Sequence, residues 1–220
     1  MNKIFNIFLN LILPQKCLRC GKSGEILCEN CLPRLRRCED FLGEDVFAVF
    51  SYYDPTISEA IKLLKYRGIR MVVPSLAKFM REVVFEEISE AKTMAGFTED
   101  EKIIVVPVPL HKDRLIKRGF NQSEIIARSI INSLNEDKLV LETGALIRTK
   151  HTESQVKAVS RTKRLINLNN AFKVVTPEKI KGKVILLIDD VITTGATISE
   201  CKKELMKAGA CKVIVLAVAH

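Results

Sequence analysis

The carboxy-terminal part of the chain carries the pattern that most constrains its fold, because two aliphatic runs there flank one helix-forming stretch. The first run, Val184–Ile188, has no polar interruption, which is typical of a strand covered on both faces in a parallel sheet. The pattern predicts a helix over residues 198–208 with Thr197 as its N-cap, and a second strand at Lys212–Ala219. Such a βαβ unit predicts an α/β fold built on a parallel sheet.

Two acidic residues and a loop of small residues follow the first predicted strand. Asp189 and Asp190 fall at its carboxyl end, where open α/β sheets bind their ligands. The next loop can surround an anion with backbone N–H groups and hydroxyls at the start of a helix. It consists of Thr193, Thr194, Gly195, Ala196 and Thr197. Neither a Walker lysine nor the glycine triplet of a dinucleotide site is present, so the sequence predicts a phosphate site of another type.

The aliphatic strand, the acidic pair and the letters TTGAT resemble the signature of the type I phosphoribosyltransferases, which bind phosphoribosyl pyrophosphate. The resemblance implies that Asp189 and Asp190 hold the ribose hydroxyls and that Thr193–Thr197 wrap the 5-phosphate. Val191 and Ile192 complete the implied ligand-binding segment. The residue types suit these roles, because carboxylates accept hydrogen bonds from hydroxyls but repel a phosphate. The alternative interpretation is a strand and turn with aspartates on the surface.

Two pairs of cysteines occupy the amino-terminal part of the chain. Cys17 and Cys20 form one C-x-x-C pair, and Cys28 and Cys31 form another after seven residues. Four thiolates at this spacing fit a closed, tetrahedral and structural zinc site. Disulfides and free core cysteines are the alternatives, and the lack of a recognisable secretory signal favours a reducing, cytoplasmic setting over disulfides. Three further cysteines are predicted not to bind the metal: Cys38, Cys201 and Cys211.

The combination of a zinc module and a phosphoribosyltransferase core resembles the ComF/GntX competence-protein family. Further motifs carry the resemblance: LKYRG at Leu64–Gly68, VPVPLHKDRLIKRGFNQSEIIAR at Val106–Arg128, and a later segment with Gln155, Arg164, Asn167, Ala171 and Phe172. It implies an α/β, parallel-sheet type I phosphoribosyltransferase fold in residues 46–220, preceded by an apolar segment and a small four-cysteine zinc module in residues 1–45. Many relatives carry a further C-x-x-C pair where this chain has only Cys38, so a single metal site is expected.

The resemblance also implies roles for two basic segments. The loop that binds the pyrophosphate would contain Lys65, Tyr66, Arg67 and Gly68. A mobile loop that closes over the substrate would contain Arg114, Arg118, Asn121 and Gln122. The implied catalytic residues are Lys65, Arg114, Asp189 and Asp190. Magnesium is expected to bind together with the substrate and to bridge pyrophosphate and ribose oxygens, while neutralisation of the leaving group promotes its displacement.

The net charge of +9 is concentrated in the middle of the chain, since residues 111–173 alone carry +7. These cations can neutralise pyrophosphate in a site or follow a nucleic-acid backbone, and a solvated basic surface is the third interpretation.

Two functional hypotheses therefore remain. In the first, the chain is a phosphoribosyltransferase whose acceptor is unknown. In the second, it is a non-catalytic accessory protein that handles single-stranded DNA with the DNA-uptake machinery of natural transformation and uses the pocket as a ligand sensor. The aromatic residues that could stack on bases are Tyr52, Tyr53, Tyr66 and Phe120.

Two parts of the sequence leave questions open. His111, His151 and His220 form no visible dyad with an acidic residue, so no general base can be assigned. The apolar segment Met1–Leu13 is too short to span a membrane. For this segment we favour a helix that packs on the rest of the protein over one that binds a partner or a membrane surface. The acceptor, any DNA preference and the oligomeric state do not follow from the sequence.

Overall fold

The structure, a computed structural model, describes residues 16–94, 101–134, 138–150 and 170–220. Its main strands are β1 (Val46–Phe50), β2 (Ile103–Pro107), β3 (Leu139–Leu141), β6 (Val184–Val191) and β7 (Lys212–Ala219). They form one parallel sheet in the spatial order β1-β7-β6-β2-β3. A separate antiparallel ribbon consists of β4 (Leu146–Arg148) and β5 (Phe172–Val174). The predicted α/β fold with a parallel sheet is confirmed.

Helices cover both faces of this sheet. Those in the described part of the chain are α1 (Pro55–Arg67), α2 (Val73–Met94), α3 (Lys112–Arg118), α4 (Gln122–Leu134) and α5 (Ala196–Lys207). Side chains alternate between the faces, as the period of a strand requires. Val105 and Leu186 pack with α1, α2 and α4 on one face, and Val106 and Leu187 pack with α5 and the ribbon on the other. Because both faces are covered, these strands are continuous aliphatic runs.

The strand order reverses between β2 and β6. From β2 the chain passes through α4 to β3 on one side, whereas from β6 it passes through α5 to β7 on the other side. The helices of these two connections pack on opposite faces of the sheet. Ligands of open α/β sheets bind in the crevice at such a reversal, beyond the carboxyl ends of the strands. The fold therefore places the candidate site at the carboxyl ends of β2 and β6.

The boundaries of β6 and α5 differ from the prediction. β6 includes both acidic residues and ends at Val191, because its ladder of hydrogen bonds to β7 continues beyond the aliphatic run. The prediction of Thr197 as N-cap is wrong, since Gly195 is the N-cap and α5 starts at Ala196. Gly195 has a φ of 74°, a left-handed conformation that glycine adopts at little cost and that turns the loop into the helix.

The cysteine-containing part packs directly on the sheet. Leu27, Leu32 and Leu35 join the apolar cluster that α1 and α2 form on one face of the sheet. The backbone of Arg37 pairs in antiparallel orientation with Phe50 at the outer edge of β1. This pairing covers an edge strand that would otherwise expose its N–H and C=O groups. The division into residues 1–45 and 46–220 stays a prediction, although the two parts share one apolar core.

Asp54 connects the cysteine-containing part to the start of α1. Its Oδ1 accepts hydrogen bonds from the backbone N–H groups of Thr56, at 2.8 Å, and Ile57, at 3.3 Å, and so caps the helix. Its Oδ2 accepts a hydrogen bond from the backbone N–H of Arg36 at 3.0 Å. Burial alone would raise the pKa of Asp54, but these hydrogen bonds hold it below its ordinary value. The ionised carboxylate of Asp54 therefore caps α1 and also binds the backbone of the cysteine-containing part.

Among the residues that the structure describes, no helix is long and apolar enough to cross a membrane. Several sequence predictions concern residues outside this part of the chain: the apolar segment Met1–Leu13, the motif positions Gln155, Arg164 and Asn167, and His151. What was inferred for them from the sequence stays a prediction.

Candidate functional site

Two carboxylates are buried side by side at the carboxyl end of β6. Asp189 and Asp190 are only 8% and 3% exposed. Oδ1 of Asp189 accepts hydrogen bonds from the Ser123 hydroxyl at 3.0 Å and from the Asp190 backbone N–H at 2.8 Å. Oδ1 of Asp190 forms an ion pair with the Lys65 ammonium at 2.8 Å. Oδ2 of Asp190 is buried without a hydrogen-bond donor among the described residues, so it can take one from a ligand.

The environment changes the acidity of Asp189. Burial raises the pKa of Asp189 to about 7, and the negative charge of Asp190 adds to the effect. The charge of Lys65 and the hydrogen bonds to Asp189 oppose the shift without cancelling it. Asp189 therefore holds a proton more readily than an ordinary aspartate does. A donor or cation arriving from a ligand would favour its ionised form.

The structure corrects the predicted pyrophosphate loop at residues 65–68. Lys65, Tyr66 and Arg67 form the last turn of α1, and Gly68 is the C-cap of that helix with a φ of 66°. The helix continues to Arg67, and the left-handed conformation of Gly68 then ends it. Lys65 points to Asp190, whereas Tyr66 is 77% exposed. Of this group, the structure brings the Lys65 ammonium directly to the carboxylates.

The predicted mobile loop around Arg114 is also wrong in its backbone conformation, since Arg114 and Arg118 lie on α3. The His111 side chain accepts a hydrogen bond from the Asp113 N–H at the start of this helix, and Gly119, with a φ of 79°, ends it. These two caps stabilise a short helix where the resemblance implied a mobile loop. No residue of α3 is buried, so the helix lies on the surface of the domain.

Residues at the junction of α3 and α4 hold the backbone near the carboxylates. The Asn121 side chain donates to the Val108 carbonyl at 3.0 Å and accepts from the Ser123 N–H at 3.1 Å. The Arg118 guanidinium donates to the Gln122 amide oxygen. Burial lowers the pKa of Arg118, and the nearby charge of Asp190 opposes that shift. Arg118 therefore lies within electrostatic reach of the acidic pair, whereas Asn121 fixes the backbone that carries Ser123.

The small-residue segment is only partly a loop. Thr193, Thr194 and the N-cap Gly195 lie between the carboxylates and α5, whereas Ala196 and Thr197 begin that helix. Ile192 is buried and its N–H donates to the Ala219 carbonyl at 2.9 Å, which fixes the entry to the loop. The N-cap Gly195 offers no side-chain hydrogen bond to the helix. Because the first N–H groups of a helix have no acceptor within the helix, they are donors for an anion. The loop therefore combines backbone donors, a helix N-terminus and the hydroxyls of Thr193 and Thr194 beside the acidic pair.

The four cysteines of the two C-x-x-C pairs come together as predicted. Their sulfurs all lie within 4.8 Å of one another, and Cys20 Sγ and Cys28 Sγ are 3.7 Å apart. Tetrahedral Zn–S bonds of about 2.3 Å would place the sulfurs about 3.8 Å apart. A disulfide needs about 2.05 Å, so the geometry fits a metal and not a disulfide. None of the three other cysteines belongs to the cluster: Cys38, Cys201 and Cys211.

The thiols of the cluster influence one another's acidity. Burial raises the pKa of Cys31, and hydrogen bonds with the other cysteines raise it further, to about 12. Burial acts in the same direction on Cys17, but hydrogen bonds from the backbone outweigh it and lower its pKa to about 6. Four adjacent thiolates repel one another unless a metal ion compensates their charge. The cluster could therefore hold Zn²⁺ in a closed site.

The comparison with protein families identifies the part of the chain that contains the carboxylates. Residues 118–220 match the phosphoribosyl transferase domain. This part of the chain is therefore similar to a phosphoribosyl transferase domain. It contains Asp189, Asp190, the small-residue loop and α5, together with Ser123 on α4. The fold that the sequence predicted is therefore confirmed, with the four-cysteine cluster at its amino-terminal side.

The chain as a whole has homologues among competence and DNA utilization proteins. DNA utilization protein YhgH of Escherichia coli O157:H7 is 28% identical over 90% of this chain and 86% of that protein. Competence protein F of Haemophilus influenzae is 28% identical over 88% of this chain and 79% of that protein. Competence protein ComFC of Bacillus subtilis is 26% identical over 88% of this chain and 72% of that protein. The resemblance to the competence-protein family is confirmed.

Among solved structures, the similarities extend over about two thirds of the chain with low TM-scores. A phosphoribosylpyrophosphate synthetase from Mycobacterium smegmatis has a TM-score of 0.34 and 22% identity, over 63% of this chain and 33% of the synthetase. A hypoxanthine phosphoribosyltransferase from Trypanosoma cruzi has a TM-score of 0.39 and 10% identity, over 66% of this chain and 67% of that enzyme.

Two residues near Asp189 were not predicted as site residues from the sequence: Ser123 and Arg148. Ser123 holds Asp189, and its place beside the assigned Gln122 could have indicated it. Arg148 lies at the end of β4 with its guanidinium 5.3 Å from the centre of the Phe172 ring. Burial lowers the pKa of Arg148, the charge of Arg114 adds to this, and Asp189 opposes it. The basic middle of the chain contained Arg148, but only the fold shows which of its cations approaches Asp189.

Proposed function

We propose that the crevice beyond β2 and β6 binds phosphoribosyl pyrophosphate with Mg²⁺ and positions it to lose pyrophosphate to an acceptor. One observation carries the proposal above all. The buried Oδ2 of Asp190 needs a hydrogen-bond donor, and it lies directly before a loop whose backbone suits a phosphate. A ribose 5-phosphate supplies both partners at once, because its hydroxyls are donors and its phosphate is an anion.

The ribose would bind at the acidic pair. Its hydroxyls donate to the Asp190 oxygen that lacks a partner and to Asp189, which the hydroxyl of Ser123 already orients. Such hydrogen bonds favour the ionised carboxylates and lower the raised pKa of Asp189. The 5-phosphate would occupy the N–H groups and hydroxyls of Thr193–Thr197 at the start of α5.

The pyrophosphate would be neutralised by cations that α1, α3 and β4 bring to the crevice. Lys65 and Arg118 lie within reach of the acidic pair, and Arg114 and Arg148 lie close enough to influence each other's charge. Cations beside the pyrophosphate stabilise it as a leaving group, and carboxylates near the ribose stabilise positive charge on the sugar. Both effects favour a transition state in which the anomeric carbon becomes cationic. Mg²⁺, when bound, would neutralise phosphate oxygens, and Asp189 and Asp190 are the described carboxylates that would hold it.

Calorimetric titration of phosphoribosyl pyrophosphate with Mg²⁺ tests this proposal. We expect saturable binding to the intact chain and a loss of at least about 100-fold, or about 2.7 kcal/mol, in the double variant Asp189→Asn with Asp190→Asn. Glu39→Gln with Asp40→Asn is the matched control, because both side chains are exposed and two negative charges are again removed. Unchanged affinity in the double variant, with an unchanged circular dichroism spectrum, would refute the assignment.

We also propose that the cysteine cluster holds one structural Zn²⁺ and that the chain works in the cytoplasm. The sulfur separations support the metal, and four thiolates leave no open position for a substrate. A reducing compartment keeps such thiols available for zinc. Zinc should therefore copurify at one equivalent per chain.

A second candidate function is the handling of DNA that the names of the homologues suggest. The relatives are called DNA utilization and competence proteins, and the middle of this chain carries +7. Tyr53 and Tyr66 are 83% and 77% exposed, so their rings are accessible for stacking on bases. Electrostatic binding of single-stranded DNA should weaken steeply as salt rises. A fluorescence anisotropy titration at several salt concentrations measures this, and affinity indifferent to salt would exclude the electrostatic form of the hypothesis.

A further inference from the structure

A groove between α2 and α4 has no role in the proposed binding of phosphoribosyl pyrophosphate. Its volume is about 260 Å³, and it is lined by Arg81, Glu82, Phe85, Glu86 and Leu134. The Phe85 ring is 57% exposed, and Leu134 at the end of α4 is half-buried. An aromatic ring and an aliphatic side chain are therefore accessible between charged groups. This combination is typical of surfaces that bind another protein.

The face of α2 beside this groove is acidic. Glu82, Glu86 and Glu90 are all exposed, and their spacing of four residues places them along one side of the helix. The described residues include no ion-pair partner for these carboxylates, although Arg81 nearby offsets one of the negative charges. Burial raises the pKa of Glu87 on the same helix, and the charges of Glu90 and Glu86 add to the effect. A cationic partner would relieve this repulsion.

The outer face of α3 has the complementary chemistry. Leu115 and Ile116 are aliphatic, yet they are 42% and 71% exposed. Lys112 and Lys117 are exposed beside them. The two arginines of α3 that the proposed function uses are half-buried on the other side of the helix, so the outer face has no part in binding the pyrophosphate. An aliphatic pair between ammonium groups matches an apolar groove between carboxylates in both charge and hydrophobicity.

The groove and the outer face of α3 lie at opposite ends of the sheet. α3 follows the carboxyl end of β2, and α4 begins beside it, where Ser123 bonds to Asp189. Leu134 ends α4 at the other end of the sheet, from which the chain enters β3 at its amino end. α4 has 13 residues, so at 1.5 Å per residue its two ends are about 20 Å apart. The two surfaces therefore do not meet within one chain.

We propose that the outer face of α3 docks into the α2–α4 groove of a second copy of this chain. Because the two surfaces differ, the contact is heterologous and leaves one groove and one α3 free for further copies. α3 has only seven residues, so the contact is smaller than a stable interface of about 1,200–2,000 Å². The association is therefore weak and depends on concentration. This inference does not depend on which ligand occupies the crevice.

Sedimentation velocity of the full chain, from micromolar to submillimolar concentration, tests the inference. We expect association that increases with concentration and includes species larger than a dimer. Phe85→Asp and Ile116→Asp should each weaken it at least about tenfold, because each places an unpaired charge at the apolar centre of the contact. Met206→Asp is the matched control, because Met206 is 44% exposed on α5, which packs on the other face of the sheet. Melting temperatures show that each variant is folded.

A mixture of the two variants tests the pairing of the surfaces. Ile116→Asp keeps its groove and Phe85→Asp keeps its α3, so the mixture should form a dimer with one copy of each and nothing larger. A chain that is monomeric at every concentration, a mixture that does not associate, or equal weakening by Met206→Asp would overturn the proposal. So would a monomeric chain in which Phe85→Asp lowers the melting temperature by several degrees, because the groove would then be covered within the same chain.

Discussion

The cysteine cluster and the acidic crevice are assembled in opposite ways. All four cysteines lie within residues 17–31, so one short stretch of chain forms the whole cluster. The crevice instead gathers Lys65 from α1, Ser123 from α4 and the acidic pair from β6. The cluster can form from the spacing of its four cysteines and a metal ion. The crevice exists only when the sheet and its helices have folded. The two sites should therefore respond differently to single substitutions.

The largest effect is expected at the cysteine cluster. Cys28→Ser removes one of four thiolates, so we expect zinc to fall from one equivalent per chain to almost none. The melting temperature should fall by several degrees, because Leu27 and Leu32 belong to the core on the α1 face of the sheet. Zinc is measured by atomic absorption on the purified protein. Cys211→Ser is the control, because Cys211 is exposed and lies outside the cluster.

The same variant sharpens the comparison between the two sites. If the crevice is assembled independently, Cys28→Ser should weaken the binding of phosphoribosyl pyrophosphate by only a few-fold, through the contact of Arg36 with Asp54 at the start of α1. A loss as large as that of the double aspartate variant would mean that the cluster organises the crevice. Full zinc occupancy in Cys28→Ser would contradict the metal assignment.

The next effect concerns the ion pair inside the crevice. Lys65→Met leaves the buried Asp190 without its cation, so we expect the affinity for phosphoribosyl pyrophosphate to fall by about 10- to 100-fold, or about 1.4–2.7 kcal/mol. Calorimetry measures the affinity. Lys62→Met on the same helix is the control, because Lys62 is exposed. Equal affinities in the two variants would show that Lys65 has no role in binding.

Two buried aspartates predict opposite effects of pH on stability. The pKa of Asp189 is raised to about 7, so the folded chain keeps a proton that the unfolded chain has lost, and stability should fall as pH rises from about 4 to 7. The slope from this one group is at most about 1.4 kcal/mol per pH unit. The pKa of Asp54 is lowered, so its contribution is present above the ordinary pKa of aspartate and is lost as pH falls through the lowered value.

Urea denaturation at a series of pH values separates the two contributions. Asp189→Asn should flatten the dependence between pH 4 and 7, because this side chain no longer titrates. Asp54→Asn should instead reduce the loss of stability in acid. A profile between pH 4 and 7 that Asp189→Asn leaves unchanged would show that the buried carboxyl does not titrate there.

The smallest effect is expected from the residue that orients Asp189. Ser123→Ala removes one hydrogen bond at 3.0 Å, which should cost about 1 kcal/mol and weaken binding of phosphoribosyl pyrophosphate about fivefold. Ser133→Ala on the same helix is the control, because its hydroxyl bonds to the Ile130 carbonyl away from the crevice. A loss as large as that of Lys65→Met would mean that Ser123 contacts the ligand itself.

The sequence predicted those features that depend on neighbouring residues. The strand β6, its acidic pair and the cysteine cluster each follow from a local pattern, and the structure agrees with them. The predicted loops at Lys65 and Arg114 were wrong, because capping by Asp54, Gly68, His111 and Gly119 determines where those helices end.

The contacts that define the crevice could not be read from the sequence. The pair of Lys65 with Asp190 and the bond of Ser123 to Asp189 join residues that are far apart in the chain. Such contacts depend on the order of strands in the sheet, which spacing and periodicity along the chain do not determine.

A crystal structure of the chain with phosphoribosyl pyrophosphate and Mg²⁺ tests the central claim most directly. We predict a ribose hydroxyl within hydrogen-bond distance of Asp190 Oδ2 and the 5-phosphate on the backbone N–H groups of residues 193–197. A ligand bound elsewhere, or a 5-phosphate that does not contact this loop, would contradict the account.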